Sequence, residues 1–396
     1  MTLSREESLA DSIHRGDPLK IEQASWSPAA GWSRSPGELA QADLVLVFAG
    51  GAALRHDAPF ADLQAAYPEA ILFGCSTAGE IVDTFVQDDS MVATALEFES
   101  TTVRYASVKI DDTLDSFHAG WRLANSLQVD GLVHVLVLSD GLHVNGSELV
   151  RGLASSLPGQ VSITGGLSGD GDRFQETFVI GKSGAFSNAI GVVGLYGDHL
   201  QVGYASLGGW DSFGPERLIT RSDGNVLFEL DGKSALELYK QYLGEHADGL
   251  PATGLLFPLS IRMTEADTPV VRTILGVDDN DKSMTFAGDV PVGAYARLMK
   301  ANFDRLIDGA YDAAQTSRGT LPESSPDIAI LVSCVGRKMV LKQRIEEEIE
   351  AVREVLGEGT VLTGFYSYGE ISPFTPNARC ELHNQTMTIT TLTEKA

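Results

Sequence analysis

The sequence predicts a mixed α/β fold in which βαβ units recur, with parallel and antiparallel strand pairing side by side. Three observations predict it. First, one order of events occurs three times along the 396 residues: an apolar run ending near glycine, a helix-period stretch, and a second apolar run that breaks into a Gly-rich turn. Second, Gly51 to Gly74 spans 23 residues, Gly141 to Gly165 spans 24 and Gly336 to Gly364 spans 28. That is the length of a crossover connection, which sets two strands parallel and right-handed. Third, the runs MVATALEF, TVRYASVKI, ETFVIG, AIGVVGLYG and LQVGYASLGGW lack a helical period and read as antiparallel strands.

Taken in order, residues 1–42 are polar and rich in Ser, Pro and Gly, and residues 1–30 read as a loosely structured lead-in. The first repeat runs LVLVFAGG, then Phe60, Leu63 and Tyr67 at helical spacing, then ILFGCSTAGEI. The second runs HVLVLSDG, then Leu149, Val150, Leu153 and Leu157, then SITGGLSGDG. The third runs IAILVSCVG, then Leu341, Ile345, Ile349, Val352 and Leu356, then VLTGFYSYGEI, and its apolar spacing marks one helical face from 341 to 356. Turn signals between 210 and 230 place a boundary at 220/221. After it, SALELYKQYLG reads as a helix, as does roughly 292–316 through Tyr295, Leu298, Met299, Asn302, Phe303, Leu306 and Tyr311. SRGTLPESSPD reads as a loop, and CELHNQTMTITTL as the C-terminal strand.

Composition bounds the function. Hydrophobic residues are 43% and charged residues 21%, ordinary for a globular chain able to bury a large core. Lys and Arg number 29 against 54 Asp and Glu, a net charge of −25. This disfavours nucleic acid and anionic membrane as partners, since both need a basic surface. Cys75, Cys334 and Cys380 are too few and too scattered for a disulfide framework. The polar N-terminus has no apolar signal core, and no apolar run reaches the roughly 18 residues of a spanning helix. The expected compartment is the cytoplasm.

Several catalytic motifs fail on spacing. Ser76 and Ser367 lack the glycine placement of a nucleophile elbow, and Ser168 directly precedes Gly169. The turns GCSTAG and GGLSGDG could present backbone N–H groups to an anion but match no phosphate-loop spacing, and each is followed by an acid. There is no HExxH or CxxC pair for zinc, only the lone CxxH of Cys380 and His383. A nucleophilic Cys75 or Cys334 would need a thiolate-stabilising base that no motif supplies. His143 stands at the C-terminal end of a parallel strand, where open α/β sheets bind ligands. His383 stands beside Asn384 and Gln385, polar groups that need partners if buried. Arg337, after Cys334-Val335-Gly336, could pair a ligand carboxylate or Glu370.

FGCSTAGEI near the start, GFYSYGEISPF and CELHNQTMTITTL near the end, and the GGW, ELDGKSALELYKQYLG and SCVGR segments between them resemble the FIST sensory domains. The resemblance covers roughly residues 30–396, with an N-terminal domain over 31–220 and a C-terminal domain over 221–396 that interlock. It implies a non-enzymatic sensor that binds a small ligand and acts on a separate signalling protein. Stand-alone members of this architecture are similar to haem proteins that sense nitric oxide and regulate a histidine kinase in cyclic-di-GMP and biofilm control. On that reading His383 is the haem-iron ligand with the Cys380 thiol nearby, and His143 is the alternative. The ligand pocket is expected to be built by Gly74, Cys75, Ser76, Thr77, Gly79 and Glu80 of the first turn, and by Tyr366, Tyr368, Gly369 and Glu370 of the third. Cys334, Arg337, Asn384 and Gln385 complete it. The rival reading is a haem-free sensor of amino acids or other small carboxylates. The sequence leaves a homodimer open.

Overall fold

A computed structural model describes residues 18–111, 114–319, 321, 325–375 and 378–396. Most of the expected lead-in, with His14, lies outside the described residues, as do parts of the loop around 320.

All three predicted βαβ units form. Leu44–Gly50 pairs in parallel with Ile71–Thr77 across the helix Asp57–Ala66. Leu132–Ser139 pairs with Ser162–Leu167 across Gly146–Ala154. Ile328–Cys334 pairs with Val361–Ser367 across two helical segments, Val335–Leu341 and Ile345–Leu356. The repeated glycine of the second strand has a steric reason. A Cβ on Gly74, Gly165 or Gly364 would stand 1.7, 1.8 or 1.9 Å from the carbonyl oxygen of Val47, Val137 or Leu331. These are the register partners in the three parallel pairs. A third strand then returns antiparallel to the first in each unit: Met91–Phe98, Ala189–Tyr196 and Met387–Glu394.

The units exchange strands in a ring. After its third strand, the first unit sends Thr102–Lys109 to the edge of the second unit's sheet, and the second sends Leu200–Leu207 to the third's. The corresponding edge of the first sheet is filled by Leu19–Ser27. Hairpins circulate the other way. Glu80–Val82 joins the third sheet, Val179–Gly181 the first and Gly369–Pro373 the second. The result is three mixed sheets around a pseudo-three-fold axis. Their inner faces meet in one core that includes Phe48, Leu138, Val193 and Val332, with the Phe48 and Phe365 rings stacked at 4.8 Å.

A fourth unit is inserted between the second and third. Strands from Asp211–Asp223 to Tyr295–Lys300 form an antiparallel sheet that packs on the helix Ala235–Leu243 around Ile219, Leu227, Leu236 and Phe286.

The structure corrects several sequence expectations. Residues 19–27 are not a loose lead-in but a strand, because Leu19 and Ile21 bury in the core shared by the three sheets. The boundary at 220/221 falls inside the strand Asp211–Asp223, so the chain does not divide there. The helix expected over 292–316 is the strand Tyr295–Lys300 followed by a helix Phe303–Arg318, because Asn302 caps the helix by accepting the Arg305 N–H. Tyr295, on that strand, is exposed. The helical face from 341 to 356 is interrupted at Lys342, whose φ is +51°. CELHNQTMTITTL is two strands, Cys380–His383 and Met387–Glu394, with Gln385 between them at φ +65°. Among the described residues no helix is long and apolar enough to cross a membrane.

Candidate functional site

The three Gly-rich turns meet on the pseudo-three-fold axis and close a ring of backbone hydrogen bonds. The Ala78 N–H donates to the Tyr366 carbonyl at 2.8 Å, Gly169 to Ser76 at 2.9 Å and Tyr368 to Leu167 at 3.1 Å. These are the three turns that recur in the sequence, and the ring exchange of strands brings them together.

Two of the turns carry the same buried acid. Glu80 accepts the Thr77 hydroxyl at one carboxylate oxygen, and the Ser90 N–H at 2.9 Å and hydroxyl at 2.5 Å at the other. Glu370 repeats this with the Ser367 hydroxyl at 2.6 Å and the Thr386 N–H and hydroxyl at 3.1 and 3.0 Å. Burial pushes Glu80 up to about 7 and Glu370 up to about 8, against hydrogen bonds that pull the other way. Asp170, in the second turn, behaves differently. Desolvation acts upward on it, but the Tyr368 hydroxyl and the amides of 174–176 outweigh that and hold it below its ordinary value.

Beside Glu80 opens a cavity of about 450 Å³ with walls from all three units. The first unit supplies Gly50, residues 77–80, Asp88 and Asp89, the second Gly171, Asp172 and Arg173, and the third Val335, Lys338 and Met339. Lys338 donates to the Ala78 carbonyl at 2.8 Å, pairs with Asp88, and stands 5.5 Å from the centre of the Tyr366 ring. Gly79 is needed to admit it, since a Cβ there would lie 2.4 Å from the Lys338 Nζ, and its φ is +139°. Arg173 makes a long ion pair with Asp170 at 3.9 Å and is 43% exposed, so its guanidinium is available to a ligand. Two cations, three exposed-side acids and Glu80 thus line one space.

Of the expected pocket residues, Thr77, Gly79 and Glu80 line this cavity, while Gly74, Cys75 and Ser76 lie buried in the strand behind it. Tyr366 donates to Glu348 at 2.6 Å and Tyr368 donates to Asp170, so both hold the walls in place. Gly369 and Glu370 lie in the equivalent position of the third unit. Arg337 does not face a ligand or Glu370. It is wholly buried, bonds Glu348 through Nε at 2.9 Å and Nη2 at 2.7 Å, and caps the carbonyls of Gly208 and Leu306. Burial pushes the Cys75, Cys334 and Cys380 thiols well above their ordinary value, which removes the thiolate a nucleophile needs. Sequence reading missed Lys338, Arg173, Asp88, Asp89 and Asp172. Lys338 and Arg173 each sit within two residues of a segment it singled out, SCVGR and SGDG, and that adjacency was the available signal.

His383 is buried, with Nε2 2.7 Å from the Ser372 carbonyl and its ring 4.1 Å from that of Phe374. Burial holds it near 4, hence neutral. Its Nδ1, both polar atoms of Asn384 and the Gln385 Oε1 are buried and have no partner among the described residues. Gln385 is otherwise held by the Trp210 indole, which donates to its carbonyl at 2.8 Å, and by the Leu255 carbonyl at 3.3 Å. Cys380 Sγ lies 3.4 Å from the Ile163 carbonyl. His143 is mostly exposed, with Nδ1 3.1 Å from Asp140. A haem needs an apolar slot beside its axial ring. The Phe374 ring packs against the buried His383 ring, and neither histidine lines the cavity beside Glu80, so these residues as placed do not fit a haem. Among the described residues no group of three or more His, Cys, Asp or Glu side chains is set to hold a metal ion.

Comparison with known proteins places the chain. An uncharacterized protein of Methanocaldococcus jannaschii is 22% identical over 303 residues, covering 70% of this chain and 57% of that protein. The chain therefore spans little more than half the length of that relative. The crystal structure of a cyanuric acid hydrolase from A. caulinodans aligns over 96% of this chain and 99% of its own, at 8% identity and a TM-score of 0.37, too weak a likeness to carry an argument. The FIST N domain matches residues 43–233 and the FIST C domain residues 235–373. With its turns joined at one axis and most of its length matched by the two domains, this chain belongs to the FIST family of ligand-binding sensors in signal transduction.

Proposed function

We propose that this sensor takes a small zwitterion or carboxylate, an amino acid or a close analogue, in the cavity at the junction of the three units. The observation that carries this reading is the pairing of charges on one wall. Arg173 and Lys338 can meet a carboxylate, and Asp88, Asp89 and Asp172 can meet an ammonium group. Each unit supplies part of the wall, so a ligand that touches Arg173 and Lys338 together favours one relative placement of the units. A ligand shifts an equilibrium only by its differential affinity for two states, and a cavity shared by three units provides that difference. A separate signalling protein, such as a histidine kinase, would read the change, and with a chain charge of −25 its docking face would be basic.

The test is thermal melting and calorimetry of the full chain against amino-acid pools. A binder at a hundred times its Kd raises stability by about 2.7 kcal/mol. Arg173→Ala, which removes an exposed side chain with one long ion pair, is expected to abolish that rise and leave the ligand-free melting temperature unchanged. A rise that survives Arg173→Ala, or none with any pool, overturns the reading.

A further inference from the structure

A second cavity, of about 360 Å³, shares no lining residue with the first. It lies where the helix Gly146–Ala154 meets the inserted sheet and the strand Cys380–His383. Much of its wall is apolar, with Ile261, Met263, Val270 and Leu382 among its residues. Its polar wall has three features that a closed, self-satisfied joint would not have. Arg272 is 6% exposed, yet its guanidinium bonds only carbonyls: Asp289 at 3.2 Å, Leu382 at 2.9 Å and Val271 at 3.3 Å. Among the described residues no carboxylate stands within ion-pair distance of it, and Glu381 and Asp289 act on it only as more distant charges. Arg262 gives Nε and Nη2 to Glu216 at 2.7 and 2.5 Å, which leaves its Nη1 buried without a partner. The Ser147 hydroxyl is likewise buried and unpartnered.

A buried guanidinium with no direct ion pair, supported only by the more distant charges of Glu381 and Asp289, is expensive, and so is each orphaned donor. A bound anion removes all three costs at once. We infer that this cavity is a second ligand site, for a monocarboxylate with an apolar body, whose carboxylate meets Arg272, Arg262 and Ser147. The acids on the wall set the charge limit. Asp289 is held by Asn145 at 3.0 Å and lies 3.6 Å from Arg151, and Asp267 accepts the Thr264 N–H at 2.7 Å. Glu381 stands within coulombic reach of Arg272, outside ion-pair distance. A doubly charged phosphate would be repelled by these three, whereas a single carboxylate is compatible with them. Asn145 and Arg272 already tie the helix and the strand Cys380–His383 to the insert. A ligand seated among the same elements tightens that joint, which makes the site a second input to the sensor, independent of the first cavity.

The test uses the full chain and four probes: phenylacetate, octanoate, phenylacetamide and phenethylamine. Phenylacetate or octanoate is expected to bind saturably by calorimetry and to raise the melting temperature, with the amide and the amine at least tenfold weaker. Met263→Trp fills the cavity from a side chain that is half exposed, so the fold is retained, and it is expected to weaken binding at least tenfold. Ser147→Ala should weaken it several-fold, and Arg173→Ala, in the other cavity, should leave it unchanged. Failure of both acids to bind, equal binding of acid and amide, binding that survives Met263→Trp, or loss of binding in Arg173→Ala would each overturn the inference.

Discussion

Glu80 and Glu370 show how one side-chain arrangement is used twice. Each accepts one hydroxyl at one oxygen and an N–H with a second hydroxyl at the other. An unfolded glutamate ionises near 4.5, while folded Glu80 keeps its proton to about 7 and folded Glu370 to about 8. Between those values the folded chain binds more protons, so stability falls as pH rises through 4.5–7 for Glu80 and 4.5–8 for Glu370, then levels. His134, held near 3, and His383, near 4, act in the opposite sense and remove stability as pH falls below 6.5. The difference between Glu80→Gln and the parent isolates the glutamate. Gln can keep the contacts because the Thr77 hydroxyl can turn to accept. Relative to the parent, this variant is expected to gain on the order of 3 kcal/mol between pH 4.5 and 7, measured by urea unfolding at stepped pH. Arg337 belongs to the same scale. Arg337→Met strands the buried Glu348 and is expected to cost about 3–5 kcal/mol. Ligand affinity at the first cavity should be retained in whatever fraction still folds, which calorimetry would check.

Among the elements, the second strand of each unit is the most constrained. Its glycine passes directly over the neighbouring strand's carbonyl, so a methyl group has nowhere to go but into backbone. Gly74→Ala and Gly364→Ala are each expected to lose more than about 3 kcal/mol or to fail to fold, judged by denaturant midpoint. Gly159→Ala, where a Cβ meets nothing within 4 Å, is the matched control and should stay within about 0.5 kcal/mol of the parent. The same scale explains the break in LHNQT. One or two residues before the third strand, Asp89, Asn188 and Gln385 all take positive φ, so the chain turns there in every unit.

The whole molecule is a ring in which each sheet is completed by its neighbours. Three-residue links join Phe98 to Thr102 and Tyr196 to Leu200 as the chain passes between sheets. Leu19 pairs with Phe98 as Thr102 pairs with Tyr196 and Leu200 with Glu394. The strand Leu19–Ser27 therefore stands where a continuation of Met387–Glu394 would go. The Glu394 carboxylate accepts the amides of 99–101, and Lys395 donates to the His199 carbonyl, so this end of the chain lies against both links. A circular permutant that joins Ala396 to residue 18 through one or two glycines and opens the chain at Pro158–Gly159 is expected to fold, with circular dichroism matching the parent and a single cooperative melt. Deleting residues 1–27 without that join is expected to expose the edge of Met91–Phe98 and give soluble aggregate by size-exclusion chromatography.

The sequence by itself determined the local grammar: the three βαβ units, the Gly-rich turns as one recurring object, and the family to which their motifs point. Hydrophobic period and glycine placement are local properties, and Gly74, Gly165 and Gly364 announce a close approach whatever that approach is to. Only the tertiary structure decided which unit each edge strand completes, because register and partner are set by surfaces far apart in the chain. It alone brought Lys338 and Arg173 to one cavity from segments 165 residues apart. It also turned Arg337 inward to Glu348. A guanidinium after a strand reads the same in sequence whether it meets a ligand or a buried glutamate, and the difference is the helix Ile345–Leu356 that packs across it.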